Sequence, residues 1–174
     1  MEIAMPIFNK LPHSIEVEGV VYPIVTDFKA VLEYSRLVRE SGIAEGDAAE
    51  CGRLALRVFY LTVPPNAAAA LEKLQGFLCC GEPVGEEPEE SQPVIDFCQD
   101  YWRIWAGFKA AYGIDLGRED MHWWEFKYLL DELPDTTRIK NIMTIRELRP
   151  DPKNQESYEK LMRLKHHYRI RGLD

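Results

Sequence analysis

Near the start of the chain, apolar and polar residues alternate in "SIEVEGVVYPIV". That period of two predicts a short β-hairpin, Ile15–Val17 pairing with Val20–Tyr22 around Glu18-Gly19, with Pro23 ending or edging the second strand. A lone hairpin is marginal in water, so it must lie on helices or on another chain's sheet edge. Beyond it the period becomes helical. In "DFKAVLEYSRLVRE", Phe28, Val31, Leu32, Ser35 and Val38 share a face behind a cap at Thr26 or Asp27. Asp47 and Glu50 form a capping-box-like pair before "CGRLALRVFY", where Cys51, Leu54, Ala55, Val58 and Phe59 align. "VPPN" stops that helix, and Asn66 caps "AAAALEKLQGFLCC".

The stretch "GEPVGEEPEESQP", Gly81–Pro93, is rich in proline and glutamate. It is poor in apolar residues and its like charges repel, so it reads as a mobile acidic loop between two halves, 1–80 and 94–174. The helical pattern then resumes: Phe97, Tyr101, Ile104, Trp105, Phe108 and Tyr112 make one stripe ending at Gly113, well placed as a C-terminal cap. "MHWWEFKYLLDELP" follows, with Trp123, Phe126, Leu130 and Leu133 on one stripe and Trp124 and Tyr128 on the next. Apolar surface this broad exceeds the ~100° arc of a surface helix and calls for packing on more than one side. Residues 94–133 are thus expected to form an aromatic helical hairpin at the core. Its core aromatics would be Trp105, Phe108, Trp123, Trp124 and Phe126, with the three tryptophans buried against each other's helices. Asp135 is expected to cap "TTRIKNIMTIRE", and Asp151-Pro152 to start a last helix over 153–168. The fold class expected is mainly α, a single domain over 1–174 with about seven helices and one small N-terminal hairpin.

Charge alters this picture at one end. The net charge is −8, yet from Arg138 onward ten Lys/Arg face five Asp/Glu, leaving eleven bases and twenty-four acids before it. An acidic body with a basic C-terminal segment suits self-association or a charged protein partner, with Arg163, Arg169 and Arg171 as candidate partner-binding residues. Overall acidity argues against nucleic acid, and the aromatics lie apart from the basic segment. No apolar run approaches the ~20 residues of a membrane span. The N-terminus lacks the layout of a signal peptide, so a soluble intracellular protein is expected. Cys51, Cys79, Cys80 and Cys98 contain no C-x-x-C pair and read as thiols in apolar surroundings.

Candidate chemistry is sparse. Glu119 and His122 have the E-x-x-H spacing that supplies two metal ligands in di-iron bundles, but no second copy of the motif exists. Asp96 and Asp100, four apart, could share a proton, although such pairs are usually exposed. No nucleophile elbow, phosphate loop or H-E-x-x-H is present. The expectation is a protein without catalytic activity or cofactor, with a metal enzyme around Glu119 and His122 as the remote alternative.

The order of segments carries more. "LPHSIEVEGVVYPIVTDFKAVL", Phe59-Tyr60, "AYGIDL", "HWWEFKYLLDELP" and "IKNIMTIREL" together resemble the bacteriophage gene-product-fifteen family over nearly the whole chain. The resemblance implies a tail-morphogenesis protein encoded next to the tape-measure gene, a tail-assembly chaperone that keeps the tape-measure protein soluble in the host cytoplasm. It implies the tape-measure protein and other tail proteins as partners, and brings no catalytic or ligand residues. A structural tail or connector subunit retained in the virion is the alternative.

Overall fold

The computed structural model describes residues 11–41, 47–83, 93–151 and 153–171. Among them are two strands, β1 (Ser14–Val17) and β2 (Val20–Pro23), and seven helices: α1 (Phe28–Glu40), α2 (Ala48–Phe59), α3 (Ala67–Leu78), α4 (Phe97–Tyr112), α5 (Trp123–Asp131), α6 (Arg138–Glu147) and α7 (Gln155–Tyr168). The fold is mainly α, with a small N-terminal antiparallel sheet. The chain forms two compact units, Met1–Val84 with Asp120–Lys127, and Gly85–Glu119 with Tyr128–Asp174. The expected acidic loop lies outside the described residues except at its ends, 81–83 and 93.

The first unit is built on the hairpin. Ile15 pairs with Tyr22 and Val17 with Val20, the expected register. Glu18 and Gly19 both take positive φ, 51° and 81°, the backbone of a tight type I′ turn. The alternation buries Ile15 and Val17, which face α3, and leaves Ser14 and Glu16 in solvent. Asp27, Asp47 and Asn66 cap α1, α2 and α3 through their side chains, as expected. Phe28, Val31, Leu56, Phe59, Leu74 and Phe77 fill the core, and the Tyr60 hydroxyl donates to the Ala70 carbonyl at 2.9 Å.

The second unit packs α4 against α6, and α6 against α7. Gly107 allows the close approach: a Cβ there would sit 3.1 Å from Leu133 Cδ1 and 3.5 Å from Ile139 Cγ2. Ile104, Phe108, Leu116, Leu130, Leu133, Ile139 and Ile142 are buried. Gly113 ends α4 in the left-handed region at φ 73°, as expected of a C-terminal glycine. Two expected caps are corrected. Thr137, not Asp135, precedes α6 and makes no side-chain cap bond, because a turn from Pro134 to Thr137 delays the helix. Asn154, not Asp151, caps α7, because the Asp151 carboxylate bonds the Lys153 amide in a turn of its own.

The aromatic cluster of 94–133 is present, and its residues are divided between the two units. The Tyr112 hydroxyl of α4 donates to the Leu129 carbonyl of α5 at 2.9 Å. The first turn of α5 instead belongs to the first unit, where Trp123 and Phe126 are buried. The reason is backbone pairing: Phe28 donates to the Met121 carbonyl and Trp123 to the Thr26 carbonyl, fixing 121–123 beside the entry to α1.

Candidate functional site

The stretch His122–Phe126 is where the sequence concentrates unusual side chains, and each has a partner. His122 precedes α5 as its cap. Its Nδ1 accepts from the Trp124 amide at 3.1 Å, which leaves the ring proton on Nε2, donating to the Pro12 carbonyl at 2.9 Å. Three residues on, the Glu125 carboxylate accepts from the His122 amide at 3.2 Å. This is a reciprocal cap related to the capping box, with the histidine ring accepting from the second amide of the helix in place of a serine or threonine hydroxyl accepting from the third.

The two indoles reach the far end of α3. Trp123 Nε1 donates to the Leu78 carbonyl and Trp124 Nε1 to the Phe77 carbonyl, each at 2.8 Å. The last four carbonyls of a helix lack internal partners. Here the amides of Cys79, Gly81 and Cys80 take those of Gln75, Gly76 and Phe77, and Trp123 takes Leu78. Phe126 stacks on Phe28 with centroids 4.7 Å apart and planes at 7°. Asp27 completes the joint by capping Lys29 with one carboxylate oxygen and accepting from the Met121 amide with the other. The segment is thus a clip that joins the start of α5, the end of α3 and the start of α1.

That arrangement bears on the metal alternative. Glu119 is exposed and lies in the loop before α5, so it does not share a helical turn with His122, and both His122 ring nitrogens are engaged. No group of three or more His, Cys, Asp or Glu side chains suited to a metal occurs among the described residues. The four cysteines form no disulfide.

In the second unit the sequence reading paired Asp100 with Asp96 and expected such a pair to be exposed. The Asp96 carboxylate caps the Gln99 amide. Asp100 is fully buried and receives Arg146 through two guanidinium bonds, at 2.5 and 3.1 Å, with Arg103 at 3.0 Å and the Asp96 amide at 3.1 Å. Arg146 also donates to the carbonyls of Val94 and Tyr168, and Lys165 donates to the Arg146 carbonyl. Basic residues in both C-terminal turns, a signal present in the sequence, thus satisfy the ends of α6 and α7.

The candidate binding residues lie on exposed ground in this unit. Arg163 is exposed on α7, while Arg169 and Arg171 follow it and are anchored by their backbones to the Gln99 side chain. Of the core aromatics, Phe108, Trp123 and Phe126 are buried, and Trp105 and Trp124 half-buried. The aromatic that stands out is Trp102, 72% exposed. Its ring meets Trp105 edge-on at 5.9 Å. Trp105 is fixed by its Nε1 bond to Asp115 at 2.9 Å, a contact that holds the Asp115 carboxyl below the usual carboxylate range. Ala106, Lys109 and Ala110 continue the same exposed stripe along α4.

No helix among the described residues is long and apolar enough to cross a membrane. A family model described as "Bacteriophage Gp15 protein" matches residues 7–170. No curated protein and no solved structure matches.

Proposed function

The chain belongs to the Bacteriophage Gp15 protein family, and from that membership we propose that it is a tail-assembly chaperone that binds the tape-measure protein. A tape-measure protein is a long helical chain whose apolar stripes would aggregate before the tail tube surrounds it. A helper needs an exposed apolar contact on a rigid element and a soluble exterior.

The observation that carries the proposal is the Trp102 stripe. A tryptophan left 72% in solvent beside a second, fixed indole makes a contiguous aromatic surface, the kind of patch that marks an interaction site. Trp is also the residue type most enriched at binding hot spots. The small side chains of Ala106 and Ala110 let a partner helix approach α4 closely, in the manner of helix-in-groove recognition. Several copies along one tape-measure chain would gain by avidity. The basic α7 region and the acidic remainder of the sequence supply a second contact, between copies. On this reading the chain binds and releases helical protein in the host cytoplasm, without catalysis, cofactor, membrane or nucleic acid.

Co-expression tests the reading: the tape-measure protein encoded with this chain should become soluble when the chain is present. Mass spectrometry of purified virions should then find the chain absent. Its presence at fixed copy number would replace the chaperone with a structural tail subunit, and an insoluble tape-measure protein would remove the chaperone role.

A further inference from the structure

Among the described residues the small sheet is closed on the β2 side only near Pro23 and is open along β1, and register shows which groups point outward. Antiparallel pairs alternate between those that exchange hydrogen bonds and those that point their amides and carbonyls away. Counting from the two-residue turn, Val17 with Val20 and Ile15 with Tyr22 exchange bonds, whereas Glu16, Val21, Ser14 and Pro23 point outward. Two contacts fix this phase: Ile24 donates to the His13 carbonyl at 3.1 Å, and the outward Pro23 carbonyl accepts from Leu61 at 3.3 Å.

The β2 side is closed near Pro23. Proline has no amide to offer, Leu61 takes its carbonyl, and Val25 donates to the Phe59 carbonyl at 2.8 Å. On the β1 side, the outward amides and carbonyls of Ser14 and Glu16 have no partner among the described residues, and both residues are exposed.

We propose that the β1 edge accepts an extended segment of a partner protein in which basic and apolar residues alternate. The backbone of Ser14 and Glu16 offers two donors and two acceptors to such a strand. A Lys or Arg beside Glu16 forms a cross-strand pair on the exposed face. The intervening apolar side chains extend the face on which Ile15 and Val17 are buried.

A second copy is the poorer occupant. Antiparallel pairing of two β1 strands about Ile15 brings two Glu16 carboxylates onto one face, the kind of edge charge that opposes self-pairing. Within the chain, Arg138–Lys140 and Arg169–Arg171 have the basic–apolar pattern, but the first lies in α6. The second is tied to Gln99, with Ile170 buried. The site is independent of the Trp102 stripe, so either can fail alone.

The test uses the full chain, isotope-labelled, titrated with capped hexapeptides alternating Lys with Val or Glu with Val. The Lys-Val peptide should shift the Ser14 and Glu16 amides and slow their hydrogen exchange, and the Glu-Val peptide should leave them unchanged. Glu16→Pro removes an amide that β2 does not use, so binding should weaken by about fivefold or more. Glu16→Lys keeps the backbone and should exchange the preference to the Glu-Val peptide, which decides the matter if the proline variant does not fold. Absence of binding by the Lys-Val peptide, shifts confined to another surface, or an unchanged preference in Glu16→Lys would each overturn the proposal.

Discussion

Asp100, in the first turn of α4, and Asp115, beyond its C-terminal end, show how differently two carboxylates are employed. Asp100 has no solvent exposure and neutralises Arg146, whose side chain is 6% exposed. Removing one member of a buried pair leaves the other charge without compensation and typically costs ~3–5 kcal/mol. Asp100→Asn should therefore lower stability by about that amount in urea unfolding. Asp120→Asn, which breaks a pair with Lys29 that lies mostly in solvent, should leave it nearly unchanged. Equal effects would mean that the Asp100 network is not holding α4, α6 and α7. Asp115 is held below the usual carboxylate range, first by the Trp105 indole and then by the Gly117 amide and the charges of Lys109 and Arg118. A depressed carboxyl contributes stability that is present above its unfolded value and lost as pH falls through its folded one. The Trp105 indole proton resonance should accordingly stay constant through the normal carboxylate range and move only in stronger acid. Movement within that range would show that the Trp105–Asp115 bond is absent in solution.

At the scale of the elements, the clip at the start of α5 sets the clearest expectation. Trp123→Phe keeps an aromatic ring beside Phe126 but removes the donor to the Leu78 carbonyl, so it should cost ~1–2 kcal/mol. His122→Ala removes a cap and should cost ~0.5–2 kcal/mol. Calorimetry of each variant checks these values, and unchanged melting temperatures would dissolve the clip. Much of this level was legible in the sequence, because the hairpin turn, the caps at Asp27, Asp47 and Asn66 and the stop at Gly113 each depend on local chemistry. What was not legible depends on partners distant in sequence. On α2 the apolar pattern named Cys51, Leu54, Ala55, Val58 and Phe59; Ala55 and Phe59 are buried, but so are Gly52 and Leu56, which it did not name. A Cβ at Gly52 would lie 2.9 Å from Leu71 Cδ1, and hydrophobicity gives no signal for such closeness. On α4 the buried line runs through Asp100, Ile104, Gly107 and Phe108, so it shares Ile104 and Phe108 with the expected stripe and takes Asp100 and Gly107 from outside it. Polar Asp100 takes its place only because Arg146, far along the chain, comes to meet it. The tryptophan pair read rightly as structural for Trp123, but its destination on α3 is set by the backbone pairing of 121–123, for which no sequence pattern speaks.

For the whole molecule, the uneven charge bears on assembly. If copies associate through the basic α7 region, the contact should weaken with salt, since the Debye length falls from ~10 Å at 0.1 M to ~3 Å at 1 M. Charge reversal at Arg163 and Arg171, both exposed, should reduce the mass seen by light scattering at low salt without changing the melting temperature. A mass independent of salt and of these substitutions would leave no role for the charge division in self-association. The apolar contact proposed on α4 should behave oppositely and persist in salt. In the proposed division of labour, the His122–Phe126 motif serves folding while binding resides on Trp102. This division is tested most directly by co-purifying the Trp102→Ala variant with the tape-measure protein and recording its melting temperature. The expected result is an unchanged melting temperature with loss of the tape-measure protein from the purified fraction. Retention of the partner, or a fall of several degrees in melting temperature, would contradict it.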